Sequence, residues 1–92
     1  MDEIKLGKIV YSKAGRDKDG YYIIVEIVDD NYVKIADGKY RSIAKPKLKK
    51  IKHLKFQSGI FSGIATKLEE GKQVFDAEIV SALRLWKESN QN

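Results

Sequence analysis

The sequence predicts a mainly β fold, four or five short strands closing into a small barrel, followed by a short C-terminal helical hairpin. Three observations carry this. The first half holds short runs of β-branched and aromatic residues, each cut off by a turn signal. The last third changes to the three-to-four-residue spacing of amphipathic helices. The chain has 92 residues, and a chain of this size buries only about two-thirds of the surface its unfolded form exposes. One small core, without a deep catalytic cleft, is what it can build.

Lys8-Ile9-Val10-Tyr11-Ser12 is the first strand. Lys13 to Gly20 is a polar loop with two glycines, in which Asp17 and Asp19 are turn residues and Asp19-Gly20 supplies a positive φ. Tyr21 to Val28 is the long strand. Its odd positions, Tyr21, Ile23, Val25 and Ile27, form the better buried face, which leaves Tyr22 outside. Asp29-Asp30-Asn31 is a turn, and Tyr32 to Ala36 alternates with Val33 and Ile35 inward. Asp37-Gly38 is a hairpin signal that returns Lys39 to Ile43 as the next strand. Pro46 confines any strand near 51–54 to a short or edge position. Ile60, Ile64 and Leu68 then mark a first helix ended by Gly71. Asp76 is the expected N-cap of a second, with Glu78 in its first turn and Lys87 in its last. Ile79, Leu83 and Trp86 are its apolar stripe. Residues 89–92 are expected to fray. The expected division is a barrel over 1–57 and a helical extension over 58–92.

Charge is distributed unevenly. The chain carries 18 Lys and Arg against 13 Asp and Glu, a net +5. Residues 13–55 hold twelve of the cations and six of the acids, whereas 56–92 are slightly acidic. Residues 45–55 contain six lysines and no acid. Such clustering attracts polyanions through counterion release, and it equally suits a solvated lysine-rich sheet edge. Basic residues recur at each turn expected on one end or side of the barrel: Lys13, Arg16 and Lys18; Lys39 and Arg41; and Lys45, Lys47, Lys49, Lys50, Lys52 and His53. Tyrosines interleave with them. Tyr22 and Tyr40 are the expected exposed pair, able to stack on unpaired bases, and Tyr21 is expected in the core.

Catalytic readings have little to stand on. With no cysteine and one histidine, the chain offers no thiol nucleophile, thiolate metal site or legible nucleophile–base pair. His53 lies among lysines that disfavour its protonation. Asp17, Asp19, Gly20 and Glu26 imitate part of a calcium loop, but Gly15 stands at the first ligand position and strands flank the segment. No enzymatic activity, cofactor or metal is expected. No apolar run approaches the roughly 20 residues of a membrane span. Met1-Asp2-Glu3-Ile4-Lys5 is acidic and lacks an apolar signal core, so the expected location is cytoplasmic, away from membranes.

Leu6 to Ile27, an apolar strand running into a basic loop closed by Gly20 and a second apolar strand, resembles a KOW motif. Ala36-Asp37-Gly38-Lys39-Tyr40-Arg41 and Pro46-Lys47-Leu48-Lys49-Lys50-Ile51-Lys52-His53-Leu54 are similar to bacterial KOW-domain RNA-binding proteins. Those in turn resemble the KOW-type large-subunit ribosomal proteins of archaea and eukaryotes, number fourteen of that series. The resemblance spans roughly residues 5–55. It implies an SH3-like five-stranded barrel and binding to RNA, ribosomal RNA above all, with ribosomal proteins as further partners. It carries RNA contact to Lys13, Arg16, Lys18, Arg41 and Lys47 to His53. The rival expectation is a protein-interaction adaptor in a transcription or translation complex, using the barrel or a C-terminal helix with an exposed Trp86.

Overall fold

The computed structural model describes residues 4–16 and 18–90. Five strands, β1 (Lys8–Ser12), β2 (Tyr21–Ile27), β3 (Tyr32–Ala36), β4 (Lys47–Lys50) and β5 (Leu54–Ile60), precede α1 (Ser62–Glu69) and α2 (Asp76–Asn90). A single 3-10 turn, Ile51–His53, joins β4 to β5. All the pairings are antiparallel, in the order β4-β3-β2-β1-β5.

That order forces curvature. In a flat sheet β4 and β5 would lie four strand spacings apart, about 19 Å. The link from Lys50 to Leu54 reaches at most about 14 Å even when extended, and here it is wound into a 3-10 turn. The sheet therefore curls so that its two edges approach, which is the barrel-like roll expected from the sequence.

β2 is the central strand and is covered on both sides. Tyr22 and Ile24 point inward with Val10, Val33, Ile35 and Leu54. Ile23 and Val25 point outward with Ile9 and Ala36, against Ile64, Val74, Ile79 and Leu83 of the C-terminal segment. Two expectations change as a result. Tyr22 is buried, at 4% exposure, and Ile27 at the strand's end is exposed. Alternation fails in this strand because helices cover the face that a bare barrel would leave wet.

Residues 39–43 form no strand. The Asp37 carboxylate accepts the amides of Lys39 and Arg41, at 3.0 and 2.8 Å, and closes a compact loop. β3 pairs instead with β4, inside the lysine run. The carboxylate of Asp76, expected to cap α2, accepts the Ile43 amide at 2.7 Å and ties this loop to the helix. Glu78 takes over at the helix start, accepting the Phe75 amide at 2.9 Å and pairing with Lys67 of α1. Ile60 belongs to β5, opposite Lys8 of β1, so this strand runs past residue 57. α1 buries Ile64 and Ala65 and ends in paired bonds, Lys72 N–H to Lys67 O and Gly71 N–H to Leu68 O. α2 continues through Ser89 and Asn90, with the Asn90 amide donating to Trp86 O at 2.8 Å. Asp17, the acidic Met1–Glu3 segment and the last two residues of the expected frayed tail lie outside the described residues. Among the described residues no helix is long and apolar enough to cross a membrane.

Candidate nucleic-acid interface

The loop after β1 is pinned at its base. Ser12 N–H donates to Gly20 O, Asp19 N–H to Ser12 O, and Lys13 N–H to His53 O at 2.9 Å. Asp19, not Gly20, takes the positive φ, at 71°. Its carboxylate accepts the Tyr11 hydroxyl at 2.5 Å, which holds the Tyr11 phenol above its ordinary pKa. The aspartate is thus spent on the turn. Among the described residues no three potential metal-ligating side chains are grouped, and the calcium reading's Asp17 lies outside them.

The bond from Lys13 to His53 brings together segments 40 residues apart in sequence. Partial burial, and then the charges of Lys52, Lys49, Lys50 and Lys13, push the His53 imidazole below its usual value, so it is neutral at physiological pH. Lys13, Lys50 and Lys52 are exposed around it. Lys49 departs from the expected set. It stands opposite Val33 on the inward face of β4, at 6% exposure, and its ammonium donates to Ala14 O at 2.5 Å. Its stem covers apolar surface while its charge supports the loop from below. Lys47, opposite Ile35 on the same face, is half-buried, and Leu48 between them is exposed. Lys45 is exposed in the loop before β4, its amide bound to the Ser42 hydroxyl.

Arg16, Lys18 and Lys39 form a second group. They line a groove of about 700 Å³ between the loop after β1, the Asp37–Tyr40 loop and α2. Tyr40 stands at its wall with 80% of its surface exposed, as expected. Arg41 sits half-buried at the base of the same loop. α2 supplies Val80, Leu83, Arg84 and Lys87. The last two were not among the expected residues, since they come from the slightly acidic third of the chain. Their spacing from Val80, four and seven residues, puts them on one helix face, but only the packing of α2 shows where that face lies.

The stripe of α2 is turned to the sheet. Ile79 and Leu83 are buried, and Trp86 is half-buried with its indole N–H donating to Ser58 O at 3.0 Å. Tyr11, Tyr21 and Trp86 form a ring-to-ring series at 5.1 and 5.2 Å between centroids, and the Lys87 ammonium lies 5.6 Å from the Tyr21 ring centre. The stripe and Trp86 are therefore not the free docking surface that the helix version of the adaptor reading needs.

These features describe a small basic β-barrel-like protein with a helical cover and two groups of cations flanking its first loop. No family model matches the chain. Over 54 residues it is 39% identical to the large ribosomal subunit protein eL14 of Desulfurococcus amylolyticus. The match covers 59% of this chain and 56% of that protein, so the chain spans little more than half the length of the curated relative it matches. The chain is thus a partial homologue of a ribosomal protein, which supports the KOW-type ribosomal resemblance read from the sequence.

Proposed function

We propose that this protein is a non-catalytic RNA-binding protein that docks on ribosomal RNA through the cations around its first loop. It acts in the cytoplasm, on the ribosome, with neighbouring ribosomal proteins as secondary contacts. The observation that carries the reading is the junction of Lys13 with Lys50, Lys52 and His53, which makes one positive surface from two distant basic segments. The partial homology to a protein named as a large ribosomal subunit protein supports ribosomal RNA as the target.

Lysines of this surface meet phosphates as point charges and set the position of the protein on RNA. Arg16 and Arg41 supply the geometry-specific contacts, because a guanidinium can grip a phosphate with two parallel bonds. Shape selects the target, since side chains do not read the deep major groove of an A-form helix. Lys49 serves this surface indirectly by bracing the loop through Ala14. Crosslinking in cells, followed by sequencing of the bound RNA, tests the assignment. Enrichment of ribosomal RNA is expected. Enrichment of transfer or messenger RNA, or of none, overturns it.

A further inference from the structure

We propose that the groove between α2 and the two loops takes an unpaired nucleotide of RNA, with its base on Tyr40 and its flanking phosphates on Arg16, Lys18, Lys39 and Arg84. The inference rests on the RNA-binding reading and adds to it the class of RNA element recognised. It also assigns an RNA-binding role to α2, for which the sequence offered only the docking role of the adaptor reading.

Three properties of the groove point to this ligand. The first is charge that is not already used. The ion pairs among the described residues that hold Lys34, Lys67 and Lys72 involve none of the groove cations. The groove's own acids are turned elsewhere in two cases of three: Asp37 binds two amides and Asp19 binds Tyr11, which leaves Glu88 at the rim. The second is Tyr40, a large aromatic side chain held in solvent on a loop closed by Asp37 and tied down through Ile43 to Asp76. An exposed ring on a rigid mount offers stacking area at low entropic cost. Base stacking on such a ring tolerates any base but requires one that is unpaired. The third is size. A cleft of about 700 Å³ lies within the range that holds small organic ligands, which matches one nucleotide and its phosphates.

The mixture of an apolar floor, from Val80 and Leu83, with cationic walls also separates this site from the Lys13–His53 surface. That surface sets its lysines beside the half-buried Tyr32 and Ile51 and, among the described residues, has no ring as exposed as Tyr40. The groove suits a base together with its phosphates.

The test is titration of the full chain with a short labelled single-stranded oligoadenylate. The comparison ligands are a duplex of equal length, free adenosine monophosphate, inorganic polyphosphate and an acidic peptide. Single-stranded RNA is expected to bind tightest. Tyr40→Ala is expected to weaken it about tenfold, and Tyr40→Phe to leave it unchanged, because the ring and not the hydroxyl is used. Arg84→Gln is expected to weaken it and to lower the salt slope by about one. Thermal melts of each variant check folding, which substitutions at these exposed side chains leave intact. Equal binding of duplex and single strand, or full affinity in Tyr40→Ala, overturns the proposal. So does equal binding of the free mononucleotide, which makes the groove a small-ligand site, or stronger binding of the acidic peptide, which makes it a protein site. Lys52→Gln is expected to weaken ribosomal RNA binding and to spare oligoadenylate. Failure of the groove and failure of the ribosomal reading are therefore told apart by which ligand is lost.

Discussion

Replacing Gly38 by alanine probes how the Asp37–Tyr40 loop is held against α2. Gly38 has φ +79°, and a Cβ there would press far inside van der Waals contact on the Asp76 carbonyl oxygen and lie 3.0 Å from Val80 Cγ2. The left-handed conformation costs about 1–2 kcal/mol in an L-residue. Forcing extra volume into a packed contact costs roughly 1–3 kcal/mol more. Gly71 is the control. It has φ +71° with open space around its Cβ position, so Gly71→Ala isolates the conformational cost. Alanine also restricts the unfolded chain, which returns about 0.4–1 kcal/mol in both variants. The expected losses are about 3 kcal/mol for Gly38→Ala and about 1 kcal/mol for Gly71→Ala. For a chain of this length, with a total stability of roughly 5–14 kcal/mol, the first is a large fraction. In urea denaturation it moves the midpoint by roughly 1–3 M. Equal losses in the two variants would refute the close approach of loop and helix that builds one wall of the groove.

Other perturbations test separate joints. The Glu78 carboxylate is held below its ordinary value of 4.5 by hydrogen bonds from Lys67 and the Phe75 amide. Its contribution to stability is therefore complete above that value and is lost as pH falls through the depressed folded one. Glu78→Gln should flatten the acid side of a stability–pH profile, and an unchanged profile would contradict the pairing. Trp86→Phe should cost about 1 kcal/mol, the net value of the bond to Ser58 O, read from urea midpoints. A variant as stable as the parent would mean the indole does not fasten α2. Lys52→Gln should lower the slope of log K against log salt for RNA by about one, whereas Lys49→Met should leave it unchanged because that ammonium faces Ala14. A lowered slope in Lys49→Met would return Lys49 to the phosphate-facing set.

Much of the fold is visible in residue order because the information is local. β1, β2 and β3 begin and end with their apolar runs, and the turns at Asp29 and Asp37 follow from short carboxylates that bind nearby amides. β4 is hidden because its inward positions are lysines. Lys49 satisfies the core with its stem and the Ala14 carbonyl with its head, a solution that leaves no apolar alternation to read. The misplaced strand at 39–43 has a long-range cause. Asp76 captures the Ile43 amide from 33 residues away and draws the loop toward α2 instead of β3. Tyr22 lies inward because Tyr21 to Val25 is a continuous apolar run, the pattern of a strand covered on both faces, whereas the alternation that places Tyr22 outside rests on Glu26 alone. The basic loops were legible as charge, and their separation into two groups was not. That separation depends on Lys13 meeting His53 and on α2 carrying Arg84 and Lys87 to the far side of the first loop.

The association constant for ribosomal RNA, followed by filter binding over a salt series, bears most directly on the proposed function. If five or six exposed cations of the two groups meet phosphates, log K falls against log salt with a slope of about −4 to −5. A flat response, or no binding at low salt, would contradict RNA docking through this surface.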